Sequence, residues 1–173
     1  MSQFARAQAI NDMYRTAALN RFYYAARLRR TRRWATASDF IVAAGSSTAI
    51  AAWTLWQDSD GRVVWQGIGG AAAVVGVLRP VLRLNDDVQR YGELVTGYKA
   101  LAFDCETLIR QMRIDDAVSD KTWNQYENMI DRMREMGIKD DSLASPRLLY
   151  RCSEEVNRRI PMESLWWPKE LQS

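Results

Sequence analysis

Two long uncharged stretches limit the topologies that this sequence can adopt. Residues 40–56 (FIVAAGSSTAIAAWTLW) and residues 63–78 (VVWQGIGGAAAVVGVL) contain no Asp, Glu, Lys or Arg over 17 and 16 positions. A short polar turn, QDSDGR, separates them. A helix that crosses the hydrocarbon core of a bilayer needs about 20 mainly apolar residues, with about 17 as the lower end. The sequence therefore predicts two transmembrane helices, residues 35–57 and 63–83, joined by an external turn at residues 58–62.

The charges on either side of this hairpin predict its orientation. Residues 1–34 hold eight arginines against the single acid Asp12, and cytoplasmic flanks of membrane spans are enriched in arginine and lysine. We therefore expect an inner-membrane, multi-pass protein with both termini in the cytoplasm. Asp39 and Arg79 fall near the same boundary and are expected to pair; the alternative is that they ring a pore mouth. The cytoplasmic boundary charges are Arg30, Arg32, Arg33, Arg79 and Arg83. The alternative is a buried Ala/Gly-rich hairpin inside a soluble helical bundle.

The predicted spans each carry a distinctive face. In the first span the polar side chains share one stripe, formed by Asp39, Ser46, Ser47 and Thr54. In the second span small residues share a face that permits close helix approach, formed by Gly69, Ala72, Ala73 and Gly76. Two interpretations stay open: both faces pack within one hairpin, or the polar stripes of several protomers line a water-filled path.

Long helices are expected on both sides of the hairpin. Residues 1–34 read as a basic amphipathic helix, and no Gly or Pro occurs before Gly45, so this helix can continue into the first span. Residues 84–115 show apolar positions every three and four residues, which is typical of a coiled-coil seam. The expected oligomer seam comprises Val88, Tyr91, Val95, Tyr98, Ala102 and Ile109. The predicted class is thus an all-α membrane protein whose flanking helices form a cytoplasmic, coiled-coil-like domain.

Residues 116–173 are expected to form a C-terminal helical region with an aromatic tail. Ser119 is a suitable N-cap for a helix that ends at Gly137, and Ser145 with Pro146 begins a last helix that Pro161 ends. The tail contains Trp166 and Trp167 and docks either on its own bundle or on a second subunit. Cys105 and Cys152 lie in helical patterns without ligand-like spacing, so both are expected to be reduced core residues.

The residues needed for common catalytic chemistry are missing. The chain has no histidine, which removes the usual general base, the serine and cysteine triads and the common zinc ligand sets. Gly67, Gly69 and Ala72 imitate a dinucleotide fingerprint, but no second strand follows to build the βαβ unit that it requires. We expect no enzyme activity, no cofactor and no metal. The arginines beside the first span are explained by topology, so no nucleic acid partner is expected.

The layout resembles the SLATT family of small prokaryotic membrane proteins. A basic aromatic helix (Asn20-Arg21-Phe22-Tyr23-Tyr24), two closely linked spans, and a long helix with Arg90-Tyr91 and Tyr98 carry the resemblance over residues 5–115. The resemblance implies a homo-oligomeric effector of antiphage or conflict systems, which forms a pore or perturbs the membrane when a soluble partner or nucleotide signal triggers it. The alternatives are a non-conducting membrane anchor that recruits a soluble enzyme, and a soluble helical protein.

Overall fold

Every regular element that the structure describes is helical. The structure is a computed structural model that describes residues 1–55, 74–75, 83–140 and 144–169. Four helices and one short 3-10 turn occur in these ranges, namely α1 (Gln3–Leu55), α2 (Leu84–Asp115), α3 (Asp120–Ile138), α4 (Pro146–Arg159) and the turn Met162–Ser164. The all-α part of the predicted class is confirmed.

Helix α1 is continuous over 53 residues. It joins the basic N-terminal segment to the first uncharged stretch without a break, as the absence of early Gly and Pro residues predicts. Side chains of α1 are described as far as residue 43. Within the described ranges, none of the helices combines the length and the apolar character that are needed to cross a bilayer.

The chain divides into two compact units. The first unit comprises Met1–Ala26 and Arg90–Ser173, and the second comprises Arg27–Gln89. The first unit has its own hydrophobic core, to which α1, α2, α3, α4 and the tail all contribute. Its most completely buried large side chains are Ile10, Tyr23, Leu94, Tyr98, Leu101, Met112 and Val118. Burial of apolar surface from five segments is the main force that holds this unit together.

The ends of α2 and α3 follow the predicted signals in part. Helix α2 ends at Asp115, and Asp116 takes a left-handed backbone conformation with φ 49°. The Ser119 hydroxyl accepts a hydrogen bond from the Thr122 amide at 3.2 Å, so the predicted N-cap of α3 is confirmed. The predicted stop at Gly137 is wrong. Helix α3 continues to Ile138, and the backbone N–H of Lys139 donates to the carbonyls of Met136 and Gly137.

Helix α4 begins as predicted, with Pro146 in its first turn. Ser145 precedes it, but its side chain makes no capping hydrogen bond. Its backbone N–H instead donates to the Tyr23 hydroxyl at 3.2 Å. The helix ends at Arg159, shortly before Pro161, which cannot continue a helix.

Candidate functional site

The predicted membrane faces lie mostly beyond what the structure describes. Ser46, Ser47 and Thr54 lie on α1, but their side chains are outside the part of the chain that the structure describes. Asp39 is exposed on the same helix. The close-packing residues and Arg79 fall outside the described residues, so the expected pairing of Asp39 with Arg79 stays a prediction. Those close-packing residues are Gly69, Ala72, Ala73 and Gly76.

A concentration of exposed positive charge is the clearest feature of the second unit. Four arginines on α1 are exposed and form no ion pair within the described part of the chain, namely Arg29, Arg30, Arg32 and Arg33. Trp34 follows them directly and is 60% exposed, and Phe40 is 74% exposed. Arg83, at the start of α2, is also exposed and has φ 43°. The uncharged residues 40–56 thus follow a surface of α1 that exposes four arginines and Trp34.

The heptad seam of α2 is filled from within the same chain. The ring of Tyr24 on α1 stacks against Tyr91 and Tyr98 with centroid distances of 5.9 Å for both pairs. Tyr91, Tyr98, Ala102 and Ile109 are all buried, and Val88 and Val95 are partly buried. Four of the six predicted seam residues are therefore covered within one chain. That the same seam also joins protomers stays a prediction.

The seam tyrosines also connect α1 and α2 to the C-terminal segments. The Tyr98 hydroxyl donates to the Asp140 carboxylate, at 3.0 and 3.1 Å from its two oxygens. Burial raises the pKa of Tyr98, and the neighbouring Asp140 charge raises it further. The phenol therefore stays protonated at neutral pH and remains a donor. Tyr23 packs edge-on against Tyr24 at 5.0 Å, so one aromatic cluster holds several helices together.

The aromatic tail docks on its own bundle. The Asn11 side-chain amide donates to the Trp166 carbonyl at 3.1 Å, and the rings of Phe4 and Trp167 stack at 5.5 Å. Leu165 and Trp166 are buried. Of the two interpretations left open by the sequence, the intramolecular one is therefore observed. Sequence reasoning missed Asn11, although this polar residue lies four positions after buried Ala7, on the apolar stripe of α1.

The two cysteines behave as the sequence predicts. Cys105 and Cys152 are both buried, and neither forms a disulfide. Burial raises the pKa of Cys105 to about 12, with the nearby Asp104 charge as a second cause. A thiol with so high a pKa holds almost no thiolate at neutral pH, which makes it a poor nucleophile. Both residues therefore serve the core of the first unit.

Comparison with known proteins gives no relative. No family model, curated protein or solved structure matches this chain. Across residues 1–55, 74–75, 83–140 and 144–169, no group of three or more His, Cys, Asp and Glu residues is arranged to hold a metal ion. The features that bear on function are thus the basic surface of α1, the uncharged stretches, and the packed bundle.

Proposed function

We propose that this protein is a homo-oligomeric inner-membrane effector of a prokaryotic antiphage or conflict system. In this proposal it forms a pore or perturbs the membrane after a soluble partner or a nucleotide signal triggers it. The observation that carries the proposal is the continuity of α1. One helix runs from the packed core of the first unit, through the exposed arginines, into the uncharged residues 40–55.

The charge pattern along α1 supports a membrane boundary near residue 34. Arg30, Arg32 and Arg33 are exposed, and Trp34 follows them. Arginine is enriched on the cytoplasmic side of membrane spans, and tryptophan is enriched at the level of the headgroups. Snorkelling lets the long arginine side chains reach the headgroups while the helix continues into the hydrocarbon. The same order of residues on a helix in water would leave Trp34 and Phe40 exposed without a compensating contact.

The filled seam of α2 changes where self-association is expected. Because Tyr91, Tyr98 and Ala102 pack inside one chain, the contact between copies is assigned to the hairpin. Small residues spaced four apart, such as Gly69 and Ala73 or Ala72 and Gly76, let helices in a bilayer approach closely. Several hairpins associated in this way would bring the stripe that includes Ser46 and Ser47 toward a common path.

Topology is tested first, by cysteine labelling of the full-length protein in sealed inverted and right-side-out membrane vesicles. The natural cysteines are buried, so background labelling by a membrane-impermeant maleimide should be low. Ser59→Cys in the external turn should react only in right-side-out vesicles. Its matched control, Ser153→Cys on the exposed side of α4, should react only in inverted ones. Labelling of both sites from one side, or release of the protein by carbonate, would refute the hairpin.

The pore is tested by dye release from liposomes that hold the purified full-length protein. We expect release that increases more steeply than linearly with the protein-to-lipid ratio, because a pore needs several copies. Ser47→Leu should suppress release because it places an apolar side chain on the polar stripe. Phe40→Leu, which changes an apolar residue away from that stripe, should leave release unchanged. Tight liposomes at every ratio, with the hairpin topology intact, would exclude the pore and favour the non-conducting anchor.

A further inference from the structure

The first unit contains a cleft of about 250 Å³ between α1, α2 and the segment that follows α4. The residues that line it include three arginines, namely Arg110 and Arg113 on α2 and Arg159 on α4, and one acidic residue, Glu106. Tyr14 from α1 also lines it. Apolar atoms come from Ile109, Ile160 and Leu165. The residues that line the cleft thus carry a net positive charge, and part of its surface is apolar.

Contacts within the chain restrict Arg113 and Arg159, whereas the Arg110 side chain is 70% exposed. All three keep hydrogen-bonding capacity. Arg113 donates one bond to the Ser164 carbonyl at 3.1 Å, and a guanidinium has five N–H donors. Arg110 lies 3.6 Å from the Glu106 carboxylate, which is an ion pair but is too long for a good hydrogen bond. Arg159 bonds to Glu155 and lies over the Phe22 ring, 5.2 Å from its centroid. These contacts reduce the side-chain entropy that binding an anion would otherwise cost.

Tyr14 supplies a neutral donor to the same cleft. Burial raises the pKa of its hydroxyl, and the Glu106 charge raises it further. The phenol therefore stays protonated and does not add a second negative charge to the lining. Donors from two arginines and one tyrosine, with a single carboxylate among them, are the pattern that recognises a multiply charged anion.

We propose that this cleft binds a small phosphate-bearing anion, such as a pyrophosphate or phosphate monoester group. The planar forks of Arg110 and Arg113 match the oxygens of a phosphoryl group, to which arginine binds through two parallel hydrogen bonds. The volume is slightly below the range of about 300–1,000 Å³ typical of sites for drug-sized ligands, so a small anion suits the cleft better than a drug-sized ligand. The inference does not depend on the proposed membrane function, because every lining residue belongs to the first unit.

The test uses the full-length protein in detergent, titrated with inorganic pyrophosphate by calorimetry at low and at moderate salt. Arg110→Gln and Arg113→Gln should each weaken binding about fivefold, since an exposed ionic contact contributes up to about 1 kcal/mol. Arg134→Gln is the matched control, because Arg134 is exposed and pairs with Asp131 on α3, outside the cleft. It should leave the affinity unchanged. Unchanged melting temperatures show that the variants remain folded.

Glu106→Gln makes the test sharper because its expected effect has the opposite sign. Removing the one carboxylate of the cleft should tighten pyrophosphate binding about threefold, and loss of structure would not do so. Short-chain phosphatidic acid in the same detergent forms a second arm. Tighter binding of this lipid than of pyrophosphate would assign the site to a headgroup phosphate. No pyrophosphate binding, equal affinity for citrate, or equal loss in Arg134→Gln would overturn the proposal.

Discussion

The two halves of α1 use the same residue types in opposite ways. In the first half, Arg6 pairs with Asp120 at 2.8 Å, and Tyr23 and Tyr24 are 2% and 3% exposed. In the second half, Arg30, Arg32 and Arg33 are exposed, and Trp34 is 60% exposed. Both halves are helical, so secondary structure does not explain the difference. What differs is tertiary packing. Other helices cover the first half, whereas the arginines and aromatic rings of the second half stay exposed.

This contrast gives each half a different dependence on its surroundings. The first half is stabilised by burial of apolar surface, which accounts for most of the stability of a packed helix. Substitutions there should therefore change the free energy of unfolding. Substitutions in the second half should change membrane association and leave unfolding of the bundle nearly unaffected. Pairs of matched variants separate these two outcomes.

The largest difference is expected between two aromatic residues of α1. Tyr24→Ala removes a ring that stacks on both Tyr91 and Tyr98, and should lower the free energy of unfolding by about 3–5 kcal/mol, as for other large aromatic deletions in cores. Trp34→Ala should lower it by less than about 0.5 kcal/mol, since Trp34 is exposed. Chemical denaturation followed by circular dichroism measures both. Equal losses in the two variants would remove the distinction between the halves.

Alkaline pH should act next most strongly, and only on the first unit. The pKa of Cys105 is raised from 9.0 to about 12, and that of Tyr98 is raised above 10.0. The folded state thus binds these protons more tightly than the unfolded chain, so the stability that they contribute is complete below pH 9. It is lost as the pH rises from 9 through about 12.

Denaturation midpoints at pH 8, 9.5 and 10.5 measure this loss. Tyr98→Phe should flatten the decline above pH 10, because phenylalanine has no proton to lose. Tyr150→Phe is the comparison. A hydrogen bond to Glu154 raises the pKa of Tyr150 too, but Tyr150 is 66% exposed and solvent screens this contact, so the decline should change much less than in Tyr98→Phe. An identical pH profile in wild type and Tyr98→Phe would show that the Asp140 contact does not control this titration.

Two glycines of α2 test whether packing or helix propensity controls the first unit. A Cβ at Gly97 would lie 2.5 Å from the Met136 sulfur, whereas one at Gly92 would meet no atom within 4 Å. Gly92→Ala should therefore stabilise by about 0.5–1 kcal/mol through helix propensity. Gly97→Ala should gain less than Gly92→Ala, because the overlap makes the Met136 side chain shift.

A double variant then identifies the cause of the Gly97 effect. Met136→Ala removes the atom that the new Cβ would meet, so Gly97→Ala in that background should stabilise as much as Gly92→Ala does. Thermal unfolding of the four proteins of this cycle gives the coupling directly. An equal effect of Gly97→Ala in both backgrounds would mean that Met136 is not the obstacle.

The smallest effect compares one arginine from each unit. Arg132 pairs with Asp104 at 2.6 Å on the exposed surface of the first unit, so Arg132→Gln should cost about 0.5 kcal/mol at low salt, and less at high salt. Arg32→Gln should not change the free energy of unfolding. It should instead weaken binding to anionic vesicles, which a flotation assay measures. Arg32→Gln that destabilises the bundle would place Arg32 in the fold and not at a membrane surface.

Most helix boundaries of the first unit could be predicted from the sequence. The break after Asp115, the N-cap at Ser119 and the start of α4 at Pro146 depend on backbone chemistry within a few residues, and all three are observed. The end of helix α3 could not be predicted in the same way from Gly137. A glycine permits a left-handed cap but does not require it, and here the chain stays right-handed through Lys139.

Local properties of the sequence predict the apolar positions and the unbroken helix as far as Gly45, because periodicity and the lack of Gly and Pro before Gly45 act within a few residues. What covers the apolar positions depends on tertiary packing. The heptad pattern of α2 predicts which face is apolar but not what packs against it. In the structure, Tyr24 of the same chain packs against that face at Tyr91 and Tyr98. The tail has no period, so its place on Asn11 and Phe4 follows from shape and hydrogen bonding that exist only once the helices have packed.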